Sequence, residues 1–174
     1  MFHSHASTLS SVSSLFNYKT SPIRGVLHAL KYNYVTDLVP LLSNILEKEK
    51  RHLGRLQADL IVPLPLHPRR LRARGFNQSE LIAAKLAEIL AIPVLPRALR
   101  RKRNTPFQIK ARTRAGRARN VKGAFVAPEQ DLVRGKRVLL IDDTITTGAT
   151  LTEAARVLRE AGAKKVDAFV LAKD

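Results

Sequence analysis

The sequence predicts an α/β protein: a parallel-sheet core flanked by helices, with a small helical extension or hood at the amino end. Three observations carry this. Short β-type apolar runs alternate with helix-period stretches, first over 58–95 and again over 137–172, the order of strands joined by right-handed helical crossovers. Val138-Leu139-Leu140-Ile141 is an unbroken apolar run, as in a strand buried on both faces. Asp142 and Asp143 follow it directly, at the strand end where open α/β sheets place their ligands.

Residues 1–14 contain six serines and little to bury, which predicts a loose end. Ser21 and Pro22 form an N-cap with proline at the first helical position, and Ile23, Val26, Leu27 and Leu30 follow at helical spacing. Asp37 caps a second expected helix with Leu38, Leu41, Leu42, Ile45 and Leu46 on one side and a charged tail over 47–51. The helical extension is assigned to 15–57 and the α/β domain to 58–174. Leu60-Ile61-Val62 is a short strand that Pro63 and Pro65 stop. A basic loop follows over 67–78. Asn77 with Glu80 resembles a capping box and opens a helix carrying Leu81, Ile82, Leu86, Ile89 and Leu90. Pro93-Val94-Leu95 reads as another short strand. Residues 97–122 hold eleven Lys and Arg and no acid; so polar a stretch predicts a long mobile loop, with a return to strand over 121–127. Gly135 marks a turn and 137–141 is the buried strand. The loop 144–147 leads to a helix with Leu151, Ala154, Ala155, Val157 and Leu158, ended by Gly162. Residues 166–172 are the last strand.

A chain of 174 residues with 45% apolar residues fits one domain with a real core. Lys and Arg number 31 against 14 Asp and Glu, a net charge of +17, which predicts attraction to nucleic acid, phosphorylated small molecules or an anionic membrane surface. The absence of cysteine excludes disulfides, Cys-based zinc sites and thiol nucleophiles. No apolar run reaches the length of a membrane span, and the first residues have neither the basic start nor the apolar block of a signal peptide. A soluble cytoplasmic protein is expected, of oligomeric state that the sequence does not encode legibly. The five histidines show no metal spacing; His3 and His5 lie in the loose end, His28 falls in the first helix, and His67 follows a Pro-Leu-Pro turn.

The chemistry is concentrated in Asp142-Asp143-Thr144-Ile145-Thr146-Thr147-Gly148-Ala149-Thr150. The start of a helix offers unpaired N–H groups and partial positive charge to an anion. Thr146, Thr147 and Thr150 add hydroxyl donors, and Gly148 lets the backbone approach a phosphate. Two acids beside an anion site serve another group: the diol of a sugar, or a divalent ion that offsets phosphate charge. The segment therefore reads as a sugar-phosphate site, with the diol on Asp142 and Asp143 and the phosphate on the threonine loop. The bland alternative, an Asp turn followed by a Thr-capped helix, explains a lone Asp-x-Thr better than it explains this whole string.

That string resembles the phosphoribosyl-diphosphate motif of type I phosphoribosyltransferases. Two further stretches, Val62-Pro63-Leu64-Pro65-Leu66-His67-Pro68 followed by Arg74-Gly75-Phe76-Asn77-Gln78, and Arg101, Arg103, Thr105 and Gln108 with Asn120-Val121-Lys122-Gly123-Ala124-Phe125, are similar to the ComF/GntX family of competence-associated, phosphoribosyltransferase-like proteins. Tyr18 and Lys31-Tyr32 fit as well, so the resemblance spans about 15–172. It implies a type I phosphoribosyltransferase-like fold in which Asp142 and Asp143 hold the ribose hydroxyls of phosphoribosyl diphosphate. Thr144, Thr146, Thr147, Gly148, Ala149 and Thr150 would cradle the 5′-phosphate. Leu64, Pro65 and Arg74 would lie near the diphosphate, which carries Mg²⁺. The basic loop would close over it, making Arg101, Lys102 and Arg103 candidates to stabilise the leaving group. Family members usually begin with a Cys-rich zinc segment, which this cysteine-free chain lacks.

Two rivals stay open beside phosphoribosyl transfer to an unknown acceptor linked to DNA uptake. One is a non-catalytic module that senses the ligand or binds single-stranded DNA beside competence and DNA-processing proteins. The other is a purely structural or nucleic-acid-binding α/β protein with no specific ligand response. Arg69, Arg70, Arg72 and Arg74 crowd four guanidiniums into six residues, suited to diphosphate, to nucleic-acid phosphates, or merely to solvent. Arg112, Arg114, Arg117 and Arg119 are the candidate DNA contacts. Aromatics make up only 5% of the chain, so backbone contact is favoured over base stacking.

Overall fold

The computed structural model describes residues 8–32, 38–103 and 119–174. Its centre is a four-stranded, all-parallel sheet in the order β1 (Val12–Asn17), β6 (Lys165–Lys173), β5 (Arg137–Ile145), β2 (Leu60–Pro63). Helices α1 (Ile23–Tyr32), α2 (Leu38–Lys48) and α3 (Lys50–Leu53) follow β1. Helices α4 (Pro68–Arg74) and α5 (Gln78–Leu90) follow β2, and α6 (Ala149–Glu160) joins β5 to β6. Between α5 and β5, β3 (Arg100–Arg101) and β4 (Phe125–Val126) form a small antiparallel pair. Among the described residues, no helix is long and apolar enough to cross a membrane.

The apolar run of β5 is buried on both faces because helices cover both. Val138 and Leu140 pack with Leu151, Ala154, Ala155 and Leu158 of α6. Leu139 and Ile141 pack with Ile82, Ala83 and Leu86 of α5 and with Leu42 and Leu46 of α2. This is the period-two alternation of a pleated strand, and it explains why polar residues are absent from 138–141.

At the amino end of the sheet, one ion pair fixes the register of β2 on β5. The Arg137 backbone N–H donates to Asp59 Oδ2 at 2.7 Å, and Nη2 of Arg137 donates to Oδ1 at 2.8 Å. Leu60 then pairs with Val138. The Arg137 side chain, followed by its backbone N–H, holds the Asp59 carboxyl down at about 2 from an ordinary 3.8. A depressed acid contributes stability that is full above its unfolded value and is lost as pH falls through the folded one. Urea titrations between pH 5 and pH 2 are therefore expected to show wild-type stability falling below about pH 4, and Asp59→Asn to flatten that part of the profile. An identical acid limb in both proteins would remove the ion pair from the account of acid stability.

Several sequence expectations change. The second half of the loose end is not loose: from Val12 the chain is strand β1, paired parallel with β6 from Val12↔Ala168 to Asn17↔Lys173. An edge strand is bonded along one side only, and here Ser13 and Ser14 are only half-buried, so its sequence lacks the apolar signature of a central strand. The extension assigned to 15–57 accordingly begins inside the sheet. Residues 93–95 form not a strand but a single parallel bridge, Ile61↔Val94. The loop expected over 144–147 starts later, because Thr144 and Ile145 still pair with Ala172 and Lys173 of β6. The basic loop expected over 97–122 is structured at its start, with a 3₁₀ turn at Pro96–Ala98 and Arg101 in β3. Its middle, 104–118, and the expected cap at Asp37 lie outside the described residues.

Candidate functional site

All four sheet strands end on the same side, and the sequence motif lies there. Asp142, Thr144, Ile145, Thr146, Thr147, Gly148, Ala149, Thr150 and Leu151 line a small open cradle of about 60 Å³. That is far below the roughly 300 Å³ of a pocket that engulfs a drug-sized ligand, so the cradle suits one group of a larger molecule. Gly148 is the residue before α6 and has φ +75°, a conformation that L side chains rarely adopt. A Cβ there would stand 3.4 Å from Ile145 Cδ1. No side chain caps α6 and no acid lies in its first turn. The start of the helix, with Thr146, Thr147 and Thr150 on the cradle wall, is suited to an anion.

The two acids differ in setting. Asp143 is buried, and its Oδ1 accepts from Thr144 Oγ1 at 3.1 Å. Asp142 is half-buried on the cradle wall, and its Oδ1 accepts from the Asp143 backbone N–H at 2.8 Å and from Ser79 Oγ at 3.1 Å. Among the described residues, no group of three or more His, Asp or Glu side chains makes a metal cage. Two neighbouring carboxylates nevertheless fit a hard cation whose other ligands are phosphate oxygens and water.

One buried cation, Arg101, acts on Asp142. Arg101 is buried at 8% exposure with its guanidinium 5.3 Å from the centre of the Phe125 ring. Burial pulls its pKa down, Arg70 adds repulsion, and the attraction of Asp142 opposes both. The Nδ1 of His67 accepts from the Arg69 backbone N–H at 3.2 Å and so caps α4. Burial holds the pKa of His67 below the ordinary value, reinforced by Arg101, Arg69, Arg70 and Arg72. His67, Arg69, Arg70, Arg72, Arg101 and Asp142 thus form one electrostatic neighbourhood. Lys102 and Arg103 are exposed at the root of the basic segment, where Lys102 N donates to the Ala124 carbonyl at 2.9 Å and Arg103 Nη1 to that of Lys122 at 3.0 Å. Arg74 is half-buried at the end of α4. Of the candidate DNA contacts, Arg119 is exposed, whereas Arg112, Arg114 and Arg117 lie outside the described residues.

Leu64 and Pro65 follow β2 beside the acids: Leu64 N donates to the Ile141 carbonyl at 2.8 Å. Asn77 Nδ2 donates to the Leu64 carbonyl at 3.1 Å. The sequence marks Asn77 as a helix cap and as part of the stretch resembling ComF/GntX proteins, but it does not single out Ser79. Nothing local marks Ser79, whose partner Asp142 stands 63 residues away.

A protein-family model described as the phosphoribosyl transferase domain matches residues 77–174. "DNA utilization protein YhgH" of Escherichia coli is 34% identical over 158 residues, covering 87% of this chain and 67% of the relative. "Competence protein F" of Haemophilus influenzae is 35% identical over 116 residues, covering 66% of this chain and 50% of the relative. Among solved structures, a glutamine phosphoribosylpyrophosphate amidotransferase from B. subtilis overlays with a TM-score of 0.46 at 26% identity, over 70% of this chain and 25% of its own. A purine phosphoribosyltransferase from Pyrococcus horikoshii overlays with a TM-score of 0.43 at 20% identity, over 82% and 75%. The chain thus spans two thirds of YhgH, half of competence protein F and a quarter of the amidotransferase.

Proposed function

The chain belongs to the phosphoribosyl transferase domain family, among the relatives of competence protein F and YhgH, and from that premise we propose that the cradle at the end of β5 binds phosphoribosyl diphosphate. The observation that carries the reading is the sequence of parts along one short stretch: an acid pair, then threonines, then Gly148 at positive φ opening α6. The 5′-phosphate takes the N–H groups at the start of α6 and the hydroxyls of Thr146, Thr147 and Thr150, with Thr144 and Ala149 completing the wall. Asp142 and Asp143 accept from the ribose hydroxyls. The diphosphate lies toward Leu64, Pro65, the imidazole of His67 and the cations Arg70, Arg74 and Arg101, with Lys102 and Arg103 approaching from the basic segment. Mg²⁺ held by diphosphate oxygens and the acid pair would neutralise charge on the leaving group.

With an acceptor present, the reaction is a substitution at the ribose anomeric carbon. The lone pair of the acceptor forms the new bond to that carbon, and the bond to the diphosphate oxygen breaks with its electrons leaving on diphosphate. The buried guanidinium of Arg101 suits this task, because a preorganised cation in a dry site stabilises developing negative charge more than one in water does. Calorimetry with phosphoribosyl diphosphate and Mg²⁺, followed by diphosphate-release assays over a panel of bases, tests the reading. Binding with release for one base identifies an enzyme. Binding without release for any of them leaves a ligand-sensing module, and no binding overturns the proposal.

A net charge of +17 favours a second role, contact with single-stranded DNA through phosphates. Arg112, Arg114, Arg117 and Arg119 are its proposed carriers, and the name of YhgH, a DNA utilization protein, points the same way. Competence and DNA-processing proteins are the partners this role implies.

A further inference from the structure

Two buried polar residues at the amino end of α5 touch the site without lining it. Asn77 and Ser79 are 3% and 4% exposed. Ser79 Oγ donates to Asp142 Oδ1 at 3.1 Å. The Oδ1 of Asn77 accepts from Ser79 N at 3.2 Å, which fixes its amide so that Nδ2 faces the Leu64 carbonyl at 3.1 Å. Capping α5 needs only the first of these Asn77 bonds. The bond to Leu64 and the hydroxyl on Asp142 lie outside that capping.

Both contacts end on parts that the proposed ligand would use. With Oδ1 committed to Ser79 Oγ and to the Asp143 N–H, the Asp142 carboxylate is held in one rotation, which sets the direction of its second oxygen. Leu64 is held from both sides, its N–H by the Ile141 carbonyl and its carbonyl by Asn77. We propose that Ser79 and Asn77 are positioning residues, Ser79 setting Asp142 for the ribose hydroxyls and Asn77 setting the backbone at Leu64 and Pro65 for the diphosphate. The start of α5 then holds the two subsites at a fixed separation. This inference rests on the phosphoribosyl-diphosphate reading.

The two contacts separate by ligand. Calorimetry on the full chain compares phosphoribosyl diphosphate with Mg²⁺ against ribose 5-phosphate, which lacks the diphosphate. Ser79→Ala is expected to weaken both about tenfold, the effect of one hydrogen bond to a charged group, and Ser79→Thr to restore them. Asn77→Ser keeps a good helix cap; it is expected to weaken phosphoribosyl diphosphate about tenfold and to leave ribose 5-phosphate within about twofold. Should Ser79→Ala lose the fold, Ser79→Cys keeps the volume with only a weak donor and gives the same comparison. Wild-type affinity in folded Ser79→Ala and Asn77→Ser overturns the proposal. So does an equal loss of both ligands in Asn77→Ser alongside a lowered melting temperature, because that marks a purely structural role. A wild-type protein that binds neither ligand shows instead that the underlying ligand reading fails.

Discussion

Asp142→Asn combined with Asp143→Asn is expected to abolish the rise in melting temperature that phosphoribosyl diphosphate gives the wild-type protein. A ligand at a hundred times its dissociation constant adds about 2.7 kcal/mol to the folded state. For a domain of this size that is roughly 5–10 °C, well above scan error. The substitutions are isosteric, and the carboxamide oxygens can still accept from Ser79, Thr144 and the Asp143 N–H, which are the partners of the native carboxylates. The apo protein should therefore melt as a folded domain. What disappears is the pair of charges proposed to take the sugar hydroxyls and, with diphosphate, a divalent ion. Inorganic phosphate should bind the variant at least as well as the wild type, since the threonine loop is intact and repulsion from the acids is gone. An undiminished shift with phosphoribosyl diphosphate would remove the ribose assignment.

The second large effect is on DNA. Binding to single-stranded DNA is expected to be independent of sequence and to fall steeply with salt. Each phosphate neutralised on a single strand adds about −0.7 to the log–log slope, so four to six contacts give roughly −3 to −4. Between 50 and 200 mM salt such a slope weakens binding on the order of a hundredfold. Arg112→Gln, Arg114→Gln, Arg117→Gln and Arg119→Gln together should remove most of that slope while leaving phosphoribosyl diphosphate bound. Filter binding across a salt series reads it directly. Undetectable binding in low salt would leave the charge to substrate attraction or solubility. Binding that persists in the quadruple variant would move attention to Arg69, Arg70 and Arg72 on α4.

The central strand and its acids were legible because their constraints are local. Val138 to Ile141 must be apolar when helices cover both faces of β5, and the acids, threonines and Gly148 follow within a few residues, so the sequence displays the cradle almost whole. β1 was not legible. Its place in the sheet depends on backbone pairing with β6, which serine satisfies as well as valine does. Arg101 was read as part of a mobile basic loop because its charge dominates its neighbourhood. A two-residue ladder and the ring of Phe125 are what bury it, and both come from a segment more than twenty residues further on. The bond from Ser79 to Asp142 is of the same kind: a long-range contact made by a residue whose type, at the first turn of a helix, carries no signal of its own.

The antiparallel pair β3–β4 has a consequence for the evolution of chain length. It joins the two roots of the basic segment, and the return root is tied to α6 by the Gly123 N–H donating to Glu153 Oε1 at 2.6 Å. The ends of 104–118 are therefore brought together whatever the residues between them do. Closing a loop costs entropy that grows only with the logarithm of its length, about 0.6 kcal/mol for each doubling. On closure entropy alone, insertions and deletions there change stability little, while a single deletion in either root would break the ladder. By the same rule, changes of length within 104–118 are only weakly coupled to the stability of the sheet that carries the acid pair and the threonines.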